Sequence, residues 1–353
     1  MNPFWTALAG ELTPYVPGEQ PRIANLVKLN TNESPFGPSP LAIEAVRAAG
    51  AETLRLYPDP EATELRETLA AYHGVLANQV FVGNGSDEVL AHTFVALLKH
   101  GRPLLVPDIT YSFYPVYARL FDVLHETVAL DADMRIAVVD YEQPAGAIII
   151  ANPNAPTGVA LAIEEVAALV DAHRDIPVIV DEAYVDFGAT SALTLLKGRP
   201  NLLVIRTMSK SRALAGLRVG YAIGDAGLIE ALTRVKDSFN SYPLGRPAQA
   251  GAVASVRDEA YFLARRADVI RIRSLMTDGL QTLGFEVLPS SANFVFARHA
   301  ALSGAHWLKA LRTRAVLVRQ FNKPRIADFL RITVGAETDI ARLVEACGDI
   351  LNG

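Results

Sequence analysis

Between residues 80 and 224 the chain repeats one pattern: a short apolar run, a cluster of turn formers, then a helical stripe. The apolar runs are VFVG, PLLVP, VLHETVAL, AIIIA, PVIVDEAY, NLLVIRTMS and VGYAIG. Runs this short, with little polar alternation, suit strands covered on both faces, as in a largely parallel sheet. Between them, SDEVLAHTFVALLKH places apolar residues at 89, 90, 94, 97 and 98 behind an acidic first turn, and AIEEVAALVDAH reads the same way. Buried strands joined by amphipathic helices make an α/β domain. The pattern predicts a large domain over 36–240 with a mostly parallel seven-stranded sheet between helices.

The flanks have a different texture. Residues 1–35 are rich in Pro, Asn and Gly and read as an extended arm. Ser39 followed by Pro40 marks a helix start, serine capping and proline taking the first helical position. After 240 comes a long helix near 247–283, then FEVLPSSANFVFAR, AVLVRQF and FLRITVG in strand-like alternation. These predict a smaller α+β domain over 241–353. A chain of 353 residues, half of them hydrophobic, has room for two cores.

With 38 acidic against 33 basic side chains the net charge is −5, which gives no general field for nucleic acid. Cys347 is the only cysteine, excluding internal disulfides and cysteine-cluster metal sites, and no metal site is expected. The most apolar runs, such as AGAIIIA, are too short to cross a bilayer, and the N-terminus lacks the pattern of a signal peptide. A cytoplasmic protein with no membrane or nucleic-acid partner is expected.

In open α/β sheets ligands bind beyond the carboxyl ends of strands. VFVG runs into Gly83, Gly85 and Ser86 before a helix, a turn whose free N–H groups suit a phosphate, or simply a tight turn capped by Ser86. It is no dinucleotide fingerprint, because Glu88 stands where the third glycine belongs, so a dehydrogenase is disfavoured. PLLVP delivers Tyr111, which could stack on a flat ring or merely pack. PVIVDEAY ends with Asp181 on an apolar strand, where a carboxylate is expensive unless a cation or strong donor meets it. NLLVIRTMS leads to Ser209 and Lys210, and the stretch SKSRALAGLR gathers Lys210, Arg212 and Arg218 within ten residues. A ring stacker, a buried acid, a lysine and a phosphate cradle on one sheet edge would all be used by pyridoxal 5′-phosphate, which bonds lysine and takes an acid at its pyridine nitrogen. Arg212 and Arg218 are expected close enough to depress the pKa of Lys210.

The pattern resembles the fold-type I pyridoxal-phosphate-dependent aminotransferases, and among them the histidinol-phosphate aminotransferase family. The resemblance runs from Thr13 to Gly335 through TPYVPG, KLNTNESPFGPSP, LYPDP, GNGSDE, TYSFY, NPNAPTG, VIVDEAYVDF, SKSRALAGLRVGY, AVLVRQF and LRITVG. It implies that Lys210 bonds the cofactor and shuttles protons, that Asp181 pairs with the pyridine nitrogen, and that Tyr184 meets the phenolic oxygen while Tyr111 stacks on the ring. Gly85, Ser86, Thr207, Ser209 and Arg218 would hold the phosphate, and Asp87 would also belong to the cofactor site. Tyr57 would reach it from a second subunit, implying a homodimer with shared sites. Arg331 would bind the acidic group of the substrate, helped by Arg319, Tyr15 and Asn32. The family's loop commonly reads NPNNPTG, and the amide before Pro-Thr-Gly is replaced here by Ala155; either Asn154 supplies it or Tyr184 acts alone. The implied reaction is a ping-pong transfer between an amino donor and a 2-oxo acid acceptor, with histidinol phosphate and 2-oxoglutarate as the pair, in histidine biosynthesis. The alternatives are an aromatic amino acid aminotransferase and a threonine-phosphate-type decarboxylase. An effector-sensing module of a transcription regulator is disfavoured, since about 35 residues before the first helix are too few for a DNA-binding domain.

Overall fold

The computed structural model describes residues 2–16 and 18–353. Strand β1 (Val27–Lys28) precedes seven strands that follow the apolar runs: β2 (Val80–Asn84), β3 (Leu104–Pro107), β4 (His125–Val128), β5 (Ala147–Ala151), β6 (Val178–Asp181), β7 (Leu202–Thr207) and β8 (Val219–Gly224). These seven form one sheet in the order β2-β8-β7-β6-β5-β3-β4. Neighbours from β4 to β7 pair in parallel, whereas β8 runs antiparallel to both β7 and β2. Every residue of β5, β6 and β7 is buried, the condition that keeps them apolar up to Asp181 in β6 and Arg206 and Thr207 in β7.

The helices are α1 (Ala7–Glu11), α2 (Pro40–Ala49), α3 (Thr63–His73), α4 (Gly85–Leu97), α5 (Tyr114–Leu120), α6 (Ile163–Ala172), α7 (Ala226–Phe239), α8 (Arg246–Arg257), α9 (Glu259–Thr282), α10 (Gly304–Thr313) and α11 (Glu337–Asn352). Val89, Leu90 and Phe94 of α4 pack on one face of the sheet with Tyr114 and Tyr117 of α5, and Val166, Leu169 and Val170 of α6 pack on the other. Helix α2 starts as its sequence predicts: the Ser39 hydroxyl accepts from the N–H groups of Leu41 and Ala42, and Pro40 occupies the first turn.

Two expectations need correction. The helical stretch near 247–283 is two helices, broken at Asp258, whose carboxylate caps α9 by accepting from the Tyr261 N–H. Helix α8 buries Ala252, Val253 and Val256 against Ala42, Leu65 and Leu69 of α2 and α3, so by packing it goes with the large body rather than with the C-terminal one. The N-terminal arm is not uniformly extended either, since α1 interrupts it, capped by Thr6.

The C-terminal part carries β9 (Glu286–Val287), β10 (Phe294–Arg298), β11 (Val316–Leu317), β12 (Arg319–Gln320) and β13 (Leu330–Thr333). An antiparallel sheet in the order β12-β13-β10-β9 packs with α9, α10 and α11 around Met276, Trp307 and Leu343. Strand β11 instead pairs in parallel with β1, and the Thr333 N–H donates to the Leu29 carbonyl. Residues 27–32 are thereby stitched to the C-terminal body and cross the mouth between it and the large sheet. Among the described residues no helix is long and apolar enough to cross a membrane.

Candidate active site

A cavity of about 220 Å³ opens at the carboxyl ends of β5, β6 and β7, roofed by Tyr15, Gly18, Gln20, Asn30, Thr31 and Asn32, and walled by Arg319 of β12 and Arg331 of β13. Strand β6 ends in Asp181, which is 5% exposed. Its Oδ2 accepts from the Tyr114 hydroxyl at 2.9 Å and its Oδ1 from the Ala183 N–H at 3.3 Å. Among the described residues it makes no ion pair. Burial therefore dominates, pushing its pKa up to about 6 although the Tyr114 and Ala183 donors pull the other way. A buried carboxylate with two neutral donors that also lines a cavity is a group still lacking a cationic partner.

Lys210 lies three residues beyond β7. Its Nζ donates to the Thr31 carbonyl at 3.3 Å and stands 5.9 Å from the centre of the Tyr184 ring. Its pKa is lowered to about 8, first by burial and then by Arg331 and Arg218, with Asp87 and Glu33 opposing. The cation expected to assist was Arg212; Arg331 of the distant C-terminal sheet takes that place beside Arg218. Arg212 turns away, donating to the Ser255 carbonyl and to Glu259, its guanidinium 3.9 Å from the centre of the Phe262 ring.

Ser86, Thr207, Ser209 and Arg218 surround a third region at the N-terminus of the 13-residue helix α4. Arg218 donates to the Ser209 hydroxyl at 3.3 Å and to Asp87 Oδ2 at 2.8 Å, while the Tyr111 hydroxyl donates to Asp87 Oδ1 at 3.0 Å. Two glycines make this approach possible. A Cβ on Gly85, whose φ is +79°, would lie 2.4 Å from Arg218 Nη2, and one on Gly220 would lie 2.2 Å from the Ser86 backbone nitrogen. The turn is not capped by Ser86: the Glu88 carboxylate accepts from the Asn84 N–H at 2.6 Å. Free N–H groups of the first helical turn, three hydroxyls and a guanidinium form an anion cradle.

At the opposite end, Arg331 donates to the Asn30 carbonyl at 2.8 Å and leaves its Nε without a partner. Arg319 donates to the Val16 carbonyl at 3.1 Å, and Tyr15 lines the same wall beside the Phe113 ring. Neither arginine has a carboxylate partner among the described residues.

Most of the residues singled out from sequence thus meet at one cavity: Tyr15, Asn32, Ser86, Asp87, Tyr111, Asp181, Tyr184, Thr207, Ser209, Lys210, Arg218, Arg319 and Arg331 all line it. Gly85 supports it from behind. Asn154 does not reach it, because its amide donates to the Ile109 carbonyl at 2.9 Å and to Thr157, and the small Ala155 lines the wall instead. Tyr57 lies outside the cavity of the single chain, 76% exposed and stacked on Tyr242. Sequence reasoning missed Tyr114, which opens α5 just after the turn that carries Tyr111, its N–H donating to the Tyr111 carbonyl; in sequence it stood only as one more aromatic in TYSFYPVY.

The model of the aminotransferase class I and II family matches residues 24–350. Histidinol-phosphate aminotransferase 1 of Bradyrhizobium diazoefficiens is 62% identical over 99% of this chain and 100% of its own. Histidinol-phosphate aminotransferase 2 of Rhizobium meliloti is 60% identical over the same shares. Among solved structures, the histidinol-phosphate aminotransferase of Sinorhizobium meliloti in complex with pyridoxal-5′-phosphate superimposes with a TM-score of 0.88 at 24% identity, covering 99% of this chain and 98% of that one. Aspartate aminotransferase from Thermus thermophilus with maleate gives 0.81 at 22% identity, covering 92% and 91%. At those identities the two structures speak for the fold, which is that of the fold-type I aminotransferases. The chain belongs to the class I and II aminotransferase family, within its histidinol-phosphate aminotransferases.

Proposed function

We propose, on the premise of that membership, that this aminotransferase holds pyridoxal 5′-phosphate at Lys210 and exchanges amino groups between histidinol phosphate and 2-oxoglutarate. The observation that carries the reading is the buried Asp181, without a cation of its own, on the same cavity as a lysine depressed to about 8. The donor set fits the cofactor: a protonated ring nitrogen would complete Asp181, the phosphate would fill the cradle of Ser86, Thr207, Ser209 and Arg218, and Tyr111 would cover one face of the ring. When bound, the cofactor supplies an electron sink for the carbon–hydrogen bond that breaks.

The remaining work falls to the chain. Asp181 keeps a proton at the ring nitrogen, helped by the Tyr114 hydroxyl, which holds the carboxylate in place. Lys210, once free, moves the proton on and off the substrate carbon; at pH 7 a pKa near 8 leaves about one tenth of it unprotonated, where an ordinary lysine would leave almost none. Arg331 and Arg319 receive the anionic end of either substrate, a phosphate or a carboxylate, by charge-assisted hydrogen bonds. Tyr57 of a second copy completes the phosphate cradle, so the working unit is a homodimer, acting in the cytoplasm. Steady-state rates with 2-oxoglutarate and either L-histidinol phosphate or L-phenylalanine test the substrate. The account expects the higher kcat/KM for histidinol phosphate. A preference for phenylalanine, or release of carbon dioxide, would overturn it.

A further inference from the structure

Behind Tyr184 lies a chain of hydrogen bonds that joins three distant parts of the sequence. The Asn32 backbone N–H donates to Thr333 Oγ1 at 3.0 Å, and the Thr333 hydroxyl donates to Asn32 Oδ1 at 3.0 Å. With the Thr333 proton spent on the amide oxygen, the Asn32 Nδ2 is left to donate to the Tyr184 hydroxyl at 3.0 Å. Asn293 holds the same segment from the far side, its Nδ2 donating to the Asn32 carbonyl at 3.0 Å. Asn32, Asn293 and Thr333 are 1%, 1% and 3% exposed, so no water competes for these bonds.

An amide nitrogen can only donate, so the Tyr184 oxygen must accept from Asn32. The phenol proton is then left to point elsewhere, and Tyr184 lines the cavity. The charged groups acting on Tyr184 are Arg331, Asp181 and Asp87, with the Lys210 ammonium over its ring. Burial raises the Tyr184 pKa, so the proton stays on.

We propose that Thr333 and Asn32 are positioning residues that force Tyr184 to act as a hydrogen-bond donor into the cavity. Asn32, which the resemblance implied as a helper at the substrate, is in this reading the middle link of a relay from the C-terminal sheet to Tyr184. A hydroxyl at position 333 sets the orientation of the amide; without it the amide is free to turn its oxygen to Tyr184 and draw the phenol proton away. The inference rests on the reading that Tyr184 faces the phenolic oxygen of the cofactor.

The test is a pH titration of the visible absorbance of the holoenzyme. A donor on the phenolic oxygen withdraws charge from it and weakens its hold on the neighbouring proton, so losing the donor raises the midpoint. Tyr184→Phe should raise it by about one pH unit, a tenfold change. Thr333→Val should raise it by at least half as much, Thr333→Ser should leave it at the wild-type value, and the double variant should exceed Tyr184→Phe by nothing, because the relay acts only through Tyr184. Thr333→Ala removes the same hydroxyl and should match Thr333→Val, so the test does not hang on one variant folding, whereas Asn32→Ala leaves no amide oxygen to compete for the phenol proton and should stay near the wild-type midpoint. A shift in Tyr184→Phe with none in Thr333→Val and Thr333→Ala would overturn the relay alone. No shift in Tyr184→Phe would overturn the placement of Tyr184 against the cofactor, and the relay with it.

Discussion

At the end of the cavity proposed to hold the cofactor, Asp181 closes β6, Lys210 follows β7 and Arg218 immediately precedes β8. At the substrate end, Arg319 reaches the Val16 carbonyl and Arg331 the Asn30 carbonyl across 303 and 301 residues of chain. The first end inherits its geometry from one continuous sheet whose central strands are wholly buried. The second is an agreement between a stitched N-terminal segment and a small C-terminal sheet. A rigid scaffold suits groups that must hold a reacting atom, whereas an assembled wall can be replaced piece by piece. Substitutions at the sheet end should therefore strike kcat, and those at the assembled end should strike KM.

The sharpest break is Lys210→Ala, expected to lower kcat by about a thousandfold or more in steady-state assays, since among the described residues no other amine lines the cavity. A residual rate within tenfold of wild type would remove the distinction between the two ends. Next, Asp181→Asn should lower kcat by about a hundredfold yet stabilise the apoenzyme. The folded-state pKa of Asp181 is raised, so the stability it contributes is present at low pH and lost as pH rises through about 6. Thermal melting at pH 8 should then favour the asparagine variant by an amount on the order of 2 kcal/mol, and the advantage should vanish below about pH 4.

At the assembled end, Arg331→Met should raise KM for the anionic substrate by tens- to about a hundredfold with a smaller change in kcat, the loss of a charge-assisted hydrogen bond or two. Arg319→Met should do the same more weakly, about tenfold. Equal losses in kcat and kcat/KM would show that the arginines serve the reacting atoms instead. The smallest effect belongs to Arg212→Gln. Because Arg212 is spent on Ser255, Glu259 and Phe262, the pH at which added cofactor combines fastest with the apoenzyme should not move. A clear shift would reinstate Arg212 as a neighbour of Lys210.

The same contrast explains what could be read from sequence. Strand runs, the Ser39–Pro40 helix start and the placing of Asp181 and Lys210 at strand ends are local facts, each decided by a few adjacent residues. The α8–α9 break at Asp258 was hidden because helical periodicity continues on both sides of it. Arg212 was misplaced because nearness in sequence says nothing of direction: two residues past Lys210, its side chain leaves on the other side of the loop. Asn154 was assigned from the resemblance, as the amide next to the replaced position, but the loop turns its amide to Ile109 and presents Ala155. The Asn32–Thr333 bond had no signal at all, since neither residue is unusual where it stands and only the pairing of β1 with β11 and of Thr333 with Leu29 brings them together.

The central claim is a lysine-bound pyridoxal phosphate that histidinol phosphate converts to its amino form. It is tested most directly by the absorbance of the reconstituted protein during a single half-reaction, with L-histidinol phosphate, L-phenylalanine and L-glutamate added separately. The account predicts loss of the resting visible band and growth of the amino-form band, fastest with histidinol phosphate. It also predicts that Lys210→Ala never develops the resting band. A wild-type protein that shows no such band after reconstitution would contradict the account at its root.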